Sequence, residues 1–105
     1  MEEFYMCIPI VVLVEYDFYN DGTGSKVYLF KDINNAIIFA KREAKTYLED
    51  NSLTLEDFKG QHDTLDIMET NDSYYFNSWN DKNCDKYNIV VYEQEFKDKT
   101  TKLIN

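Results

Sequence analysis

The sequence predicts an α+β domain: a mostly antiparallel sheet of about five strands with one long helix packed across one face. Three observations predict it. Apolar residues alternate with period two in several short runs, one longer run follows helical spacing, and the connections are too short for parallel crossovers.

In chain order, residues 8–19 read as a first strand, with Ile10, Val12, Val14, Tyr16 and Phe18 on one face and Val11, Leu13, Glu15, Asp17 and Tyr19 on the other. Asn20-Asp21-Gly22-Thr23-Gly24 supplies turn residues that tolerate positive φ, and residues 26–31 return as a second strand, closing a hairpin. Asp32 is the N-cap expected for the helix that ends near Asp50; Ala36, Ile37, Ala40, Ala44, Tyr47 and Leu48 recur on one face of it. Thr54 to Gly60 reads as a short helical turn with a Thr cap and a Gly stop. Three strands follow, at residues 64–70, 74–79 and 87–96. On the last, Val90, Tyr92 and Phe96 point one way and Ile89, Val91, Glu93 and Glu95 the other. The whole chain is expected to form a single domain, with a tail frayed from about residue 97.

Composition narrows the function. The 105 residues are 44% hydrophobic and 16% aromatic, which supports a core, and 20 Asp and Glu against 11 Lys and Arg give a net charge of −9. Such a chain repels nucleic acid and anionic membranes and is attracted to basic surfaces. The start Met1-Glu2-Glu3 lacks the basic n-region of a secretory signal, and the apolar run from Ile8 to Val14 is too short to span a bilayer. The expected location is a cytoplasm, with Cys7 and Cys84 as free thiols.

Catalytic and metal motifs are weak. His62 is the only histidine, and a nucleophile–base pair with Cys7 or Cys84 has no motif behind it. A zinc site lacks a fourth ligand and any C-x-x-C pair. Asp81 to Asp85 begins like a calcium loop, but Lys86 stands where glycine is required and Tyr92 where the twelfth-position glutamate is required. Gly22 to Lys26 lacks the order of a phosphate-binding loop. No enzyme activity and no cofactor are expected.

The charge pattern carries more. Glu15 with Asp17, and Glu93 with Glu95, set carboxylates at i and i+2, about 6.6 Å apart at a strand rise of ~3.3 Å. A phosphate backbone repeats every ~3.4 Å, so such pairs offer a basic cleft a rough copy of it. Asp63, Asp66, Glu69 and Asp72 add an acidic stretch with no Lys or Arg across residues 60–73. Polar outer faces and charged edges also serve solubility alone. A local positive face on the helix, Lys41, Arg42 and Lys45, is the alternative ligand-binding site.

In its size, its charge, the hairpin around Asp21-Gly22-Thr23-Gly24, the helix from Asp32 to Asp50 and the closing run from Tyr74 to Glu93, the chain resembles small acidic phage and mobile-element proteins of the anti-CRISPR type. The resemblance implies a stoichiometric, cofactor-free inhibitor in a bacterial cell. It would occupy the basic nucleic-acid groove of a defence nuclease as a nucleic-acid mimic. The competing expectations are a small-ligand or nucleotide-binding sponge that uses the basic helix face, and a regulatory subunit assembled as a homodimer or larger oligomer.

Overall fold

The computed structural model describes residues 8–95 as a five-stranded antiparallel sheet with one long helix on one face. The strands are β1 (Ile10–Phe18), β2 (Gly22–Phe30), β3 (Thr64–Glu69), β4 (Tyr74–Asn80) and β5 (Asp85–Glu93), and the helix α1 is Ile33–Asp50. A 3-10 turn, Leu55–Phe58, lies between α1 and β3. The strand order is β2-β1-β5-β4-β3. β2 and β3 are therefore the two edges, and the connection between them must cross the whole sheet. Within that connection α1, about 27 Å long, lies over the middle of the sheet, with Phe39 against Tyr28 and Phe30 of β2 on one side, Lys41 against Glu69 of β3 on the other, and Tyr47 on Tyr87 of β5.

The predicted element types and strand faces match the structure, and several boundaries move. The β1–β2 turn is shorter than the glycine-rich stretch suggested. Phe18 pairs with Gly22, so only Tyr19, Asn20 and Asp21 form the loop, and Gly22 to Ser25 belong to β2. Gly22 takes φ +88°, the left-handed residue that such three-residue loops use to rejoin the ladder. The loop before β5 contracts to residues 81–84, and Asp85 and Lys86 enter the strand. At its far end β5 stops at Glu93, with the Gln94 N–H donating to the Pro9 carbonyl at 3.0 Å. The expected positions of Phe96 and the tail lie outside the described residues.

The core forms between α1 and one sheet face. Ile10, Val12 and Val14 of β1, Tyr74 and Phe76 of β4, and Tyr87, Ile89 and Val91 of β5 are buried against Ala36, Ile37, Ala40, Ala44 and Tyr47. Three of those five helix positions are alanine, which lets α1 approach the strands closely without a large hole. Asp32 caps the helix, its carboxylate accepting from the N–H groups of Asn34 at 2.7 Å and Asn35 at 3.2 Å. At the hairpin end, Tyr47 stacks on Tyr87 with ring centroids 4.2 Å apart, and Phe18 stacks beside both. Asn80, 1% exposed, donates through Nδ2 to the Asp57 carbonyl at 2.7 Å, tying the 3-10 turn to β4.

Two outcomes follow from this packing. Burial, followed by the nearby Asp85 carboxylate, pushes the Tyr47 phenol from its ordinary 10.0 up to about 12, against a smaller opposing pull from Ser78. Burial and then Glu43 raise Tyr87, and burial and then Glu69 raise Tyr74. Because the folded state holds these protons more tightly, their contribution to stability is intact below pH 10 and is lost as pH rises towards 12. Alkaline unfolding followed by circular dichroism should therefore coincide with late phenolate absorbance. Among the described residues the buried Tyr47 hydroxyl has no hydrogen-bond partner in good geometry, because the Ser78 hydroxyl donates to the Tyr87 carbonyl at 2.8 Å. Tyr47→Phe should accordingly be neutral or stabilising by up to about 1 kcal/mol in urea denaturation.

Candidate interaction surface

Strand parity and register sort the sheet into two faces. One packs on α1. On the other, no described element packs, and its composition changes along the strands. Cross-strand partners place Val27, Leu13, Val90, Tyr75 and Met68 side by side in sheet order, one from each strand. The next row, two residues along, is Ser25, Glu15, Asn88, Asn77 and Asp66, and beyond it lie Thr23, Asp17, Lys86, Trp79 and Thr64. The open face thus joins an apolar half to an ionic half.

Only three of the acidic residues singled out in the sequence share this face: Glu15, Asp17 and Asp66, all exposed. Glu15 and Asp17 border a shallow hollow of about 230 Å³ together with Lys86 and Asn88. Asp17 accepts a hydrogen bond from the Thr23 hydroxyl at 3.1 Å and sits across the ladder from Lys86. Asp66 stands in the same row as Glu15, three strand spacings or about 14 Å away.

The remaining carboxylates lie elsewhere. Glu93 pairs with Ile10 and so has the parity of the helix-covered face, opposite to Glu15 and Asp17; Glu95 falls beyond the end of β5, so the expected i, i+2 alignment is not formed. Glu69 also lies on the helix side, where it meets Lys41 at 3.0 Å. Both partners are about half exposed (52% and 44%), so the pair stabilises by less than about 1 kcal/mol, but it joins a predicted acidic residue to a predicted basic one. Asp72 accepts from the Thr70 hydroxyl at 3.0 Å within the β3–β4 turn. Asp63 works inside the fold: one carboxylate oxygen accepts from the Gly60 N–H at 2.8 Å and the other from the Asp81 N–H at 2.9 Å.

The basic helix face does not surround a cavity. Lys41 borders a half-open hollow of about 430 Å³ with Asn34, Ile38, Glu69 and Asn71, and neither Arg42 nor Lys45 reaches it. The Arg42 guanidinium instead lies 5.8 Å from the centre of the Phe39 ring. A second notch, about 300 Å³, opens at the hairpin end between Tyr16, Phe18, Tyr87, Asp21, Lys26 and Glu43. Beside it the Tyr16 ring lies over Gly24, where a Cβ would collide with the Tyr16 hydroxyl.

Among the described residues, His62 and Cys84 are exposed and no group of three or more His, Cys, Asp or Glu side chains is arranged to hold a metal ion. Cys7 lies outside the described residues. No described helix is long and apolar enough to cross a membrane. Comparison with protein-family models, with curated proteins and with solved structures finds no match to this chain.

The feature that sequence reasoning missed is the apolar row. Its members belong to five separate strands, and only the strand order brings them into line. The two roles of Asp63 are separable from binding: Asp63→Ala should lower stability by about 1–2 kcal/mol in thermal or urea melts, by releasing two backbone donors from a charged acceptor.

Proposed function

We propose that this chain is a non-enzymatic binding protein that seats its open sheet face on a basic, nucleic-acid-binding surface of another protein. In this reading it is an inhibitor of the anti-CRISPR kind, acting on a host defence nuclease. The observation that carries it is the ionic half of that face, where Glu15, Asp17 and Asp66 stand exposed with Lys86 as the cation among them, in a chain of net charge −9. A basic groove that holds a phosphate backbone is complementary to such a surface, and the complementarity acts on encounter rate and orientation before affinity. Binding through it weakens with salt, because exposed charges are screened over about 8 Å at physiological ionic strength.

The small-ligand reading is less well supported. Its basic residues do not enclose a hollow, and Lys41 is already paired with Glu69.

The experiment adds the purified protein to an RNA-guided nuclease loaded with its guide and reads capture of target DNA by fluorescence anisotropy. Stoichiometric, salt-sensitive loss of DNA binding is expected. The triple variant Glu15→Gln, Asp17→Asn, Asp66→Asn should weaken inhibition at least about tenfold, or ~1.4 kcal/mol. Glu93→Gln with Glu95→Gln should change it less than about twofold. The reverse pattern would move the contact to the Ile10–Glu93 end of the sheet, and unaltered DNA capture at excess protein would reject the proposal for that nuclease.

A further inference from the structure

We infer that the apolar half of the open face, beside the carboxylates, is the energetic centre of the same contact, and that its occupant is a basic amphipathic segment of the partner protein. This rests on the reading of the chain as a binder of basic surfaces and specifies what the partner presents. Val27, Leu13, Val90, Tyr75 and Met68 form an unbroken apolar line across all five strands. At ~4.8 Å per strand it runs for about 19 Å. Val27 is 61% exposed, Met68 64% and Tyr75 38%, with Leu13 and Val90 half-buried between them; on the side away from the carboxylates the next row is Leu29 at 70%, the buried Val11 and Tyr92 at 36%. Contiguous exposed apolar surface of this kind, rimmed by polar residues, marks an interaction site; isolated exposed side chains carry no such meaning.

Charge decides the occupant. The row next to the apolar line, about 7 Å along the strands, runs Ser25, Glu15, Asn88, Asn77, Asp66, with Asp66 on the β3 edge and Glu15 one strand in from the β2 edge. A partner whose apolar side chains cover the line must place its flanking residues over those carboxylates, so lysine or arginine belongs there. A second copy of this chain would bring its own Glu15 and Asp66 to the same interface, with −9 facing −9 inside a Debye length. Aromatic and long aliphatic side chains at the centre with charge at the rim is the usual division of labour in an interface, the centre supplying affinity and the rim supplying steering. A pure phosphate mimic has no need of the apolar line.

The test uses the full chain and two defined probes at physiological salt: an amphipathic Leu–Lys peptide and an oligolysine of equal charge, with affinities read by anisotropy. The native protein should bind the Leu–Lys peptide at least about tenfold more tightly than the oligolysine. Val27→Ser with Met68→Ser should abolish that preference while leaving oligolysine binding intact. Both positions are exposed, so the fold should persist, checked by unchanged circular dichroism. Glu15→Gln with Asp66→Asn should weaken both peptides together. Equal affinity for the two probes, or a preference that survives the serine variants, overturns the inference while leaving the basic-surface reading standing. Loss of salt-dependent binding to either probe would instead sink that reading. Sedimentation showing a native dimer that the serine variants dissociate would assign the line to a second copy and overturn the inference. A fall in thermal stability on serine substitution, with peptide preference unchanged, would assign it to the chain's own contacts and overturn it too.

Discussion

The pairing of β1 with β5 holds the molecule together. It joins an N-terminal hairpin to a C-terminal three-stranded meander through a nine-residue ladder from Ile10–Glu93 to Phe18–Asp85. Val12, Ile89 and Val91 are the side chains that this ladder buries most completely on the helix side, at 0–1% exposure. Every other arrangement follows from it. Because β5 fills the centre, β2 and β3 become the edges, the long segment between them has to bridge the sheet, and one sheet face receives the helix while the opposite face receives nothing described.

The same ladder determines which charges meet. Glu15 and Asp17 are brought beside Asn88 and Lys86 on the open face, while Glu93, an odd number of positions further along the neighbouring strand, is turned to the other side. An acidic chain thereby acquires a face on which carboxylates and exposed aliphatic side chains are neighbours. Such a surface is suited to long-range attraction followed by desolvation of a small apolar centre, the two acting at different stages of association. The helix side carries the opposite arrangement, with Lys41 already matched to Glu69 and Arg42 resting on an aromatic ring.

Much of the fold was legible in the sequence because periodicity is a local signal. The i, i+3, i+4 spacing from Ile33 to Leu48 defined α1, and Asp32 marked its start through the donors it caps. The inward face of β1 was readable from Ile10, Val12 and Val14 for the same reason. The candidate surface was only partly legible. Whether Glu15 and Glu93 share a face depends on the relative register of two strands more than sixty residues apart, which no local pattern encodes. Val11, Leu13, Val90 and Tyr92 are apolar on the side opposite the helix, so alternation alone gave them no distinct address. Asp63 looked like surface charge until the loops at Gly60 and Asp81 came together around it. Glycine in β2 suggested a longer turn, whereas Gly24 is bare because the Tyr16 ring occupies the space above it.

The central position of β5 also has a kinetic consequence. On a growing chain, the β1–β2 hairpin is made first, and its inner edge has no neighbour until residues 85–93 have been synthesised. The sheet therefore closes through contacts between the two ends of the described chain, the kind of long-range pairing that slows folding towards the millisecond-to-second range. During that interval β1, with Ile10 to Val14 in sequence, is an open apolar edge, and the crowd of carboxylates keeps such unfinished chains apart by mutual repulsion. The acidity thus acts already on the nascent chain.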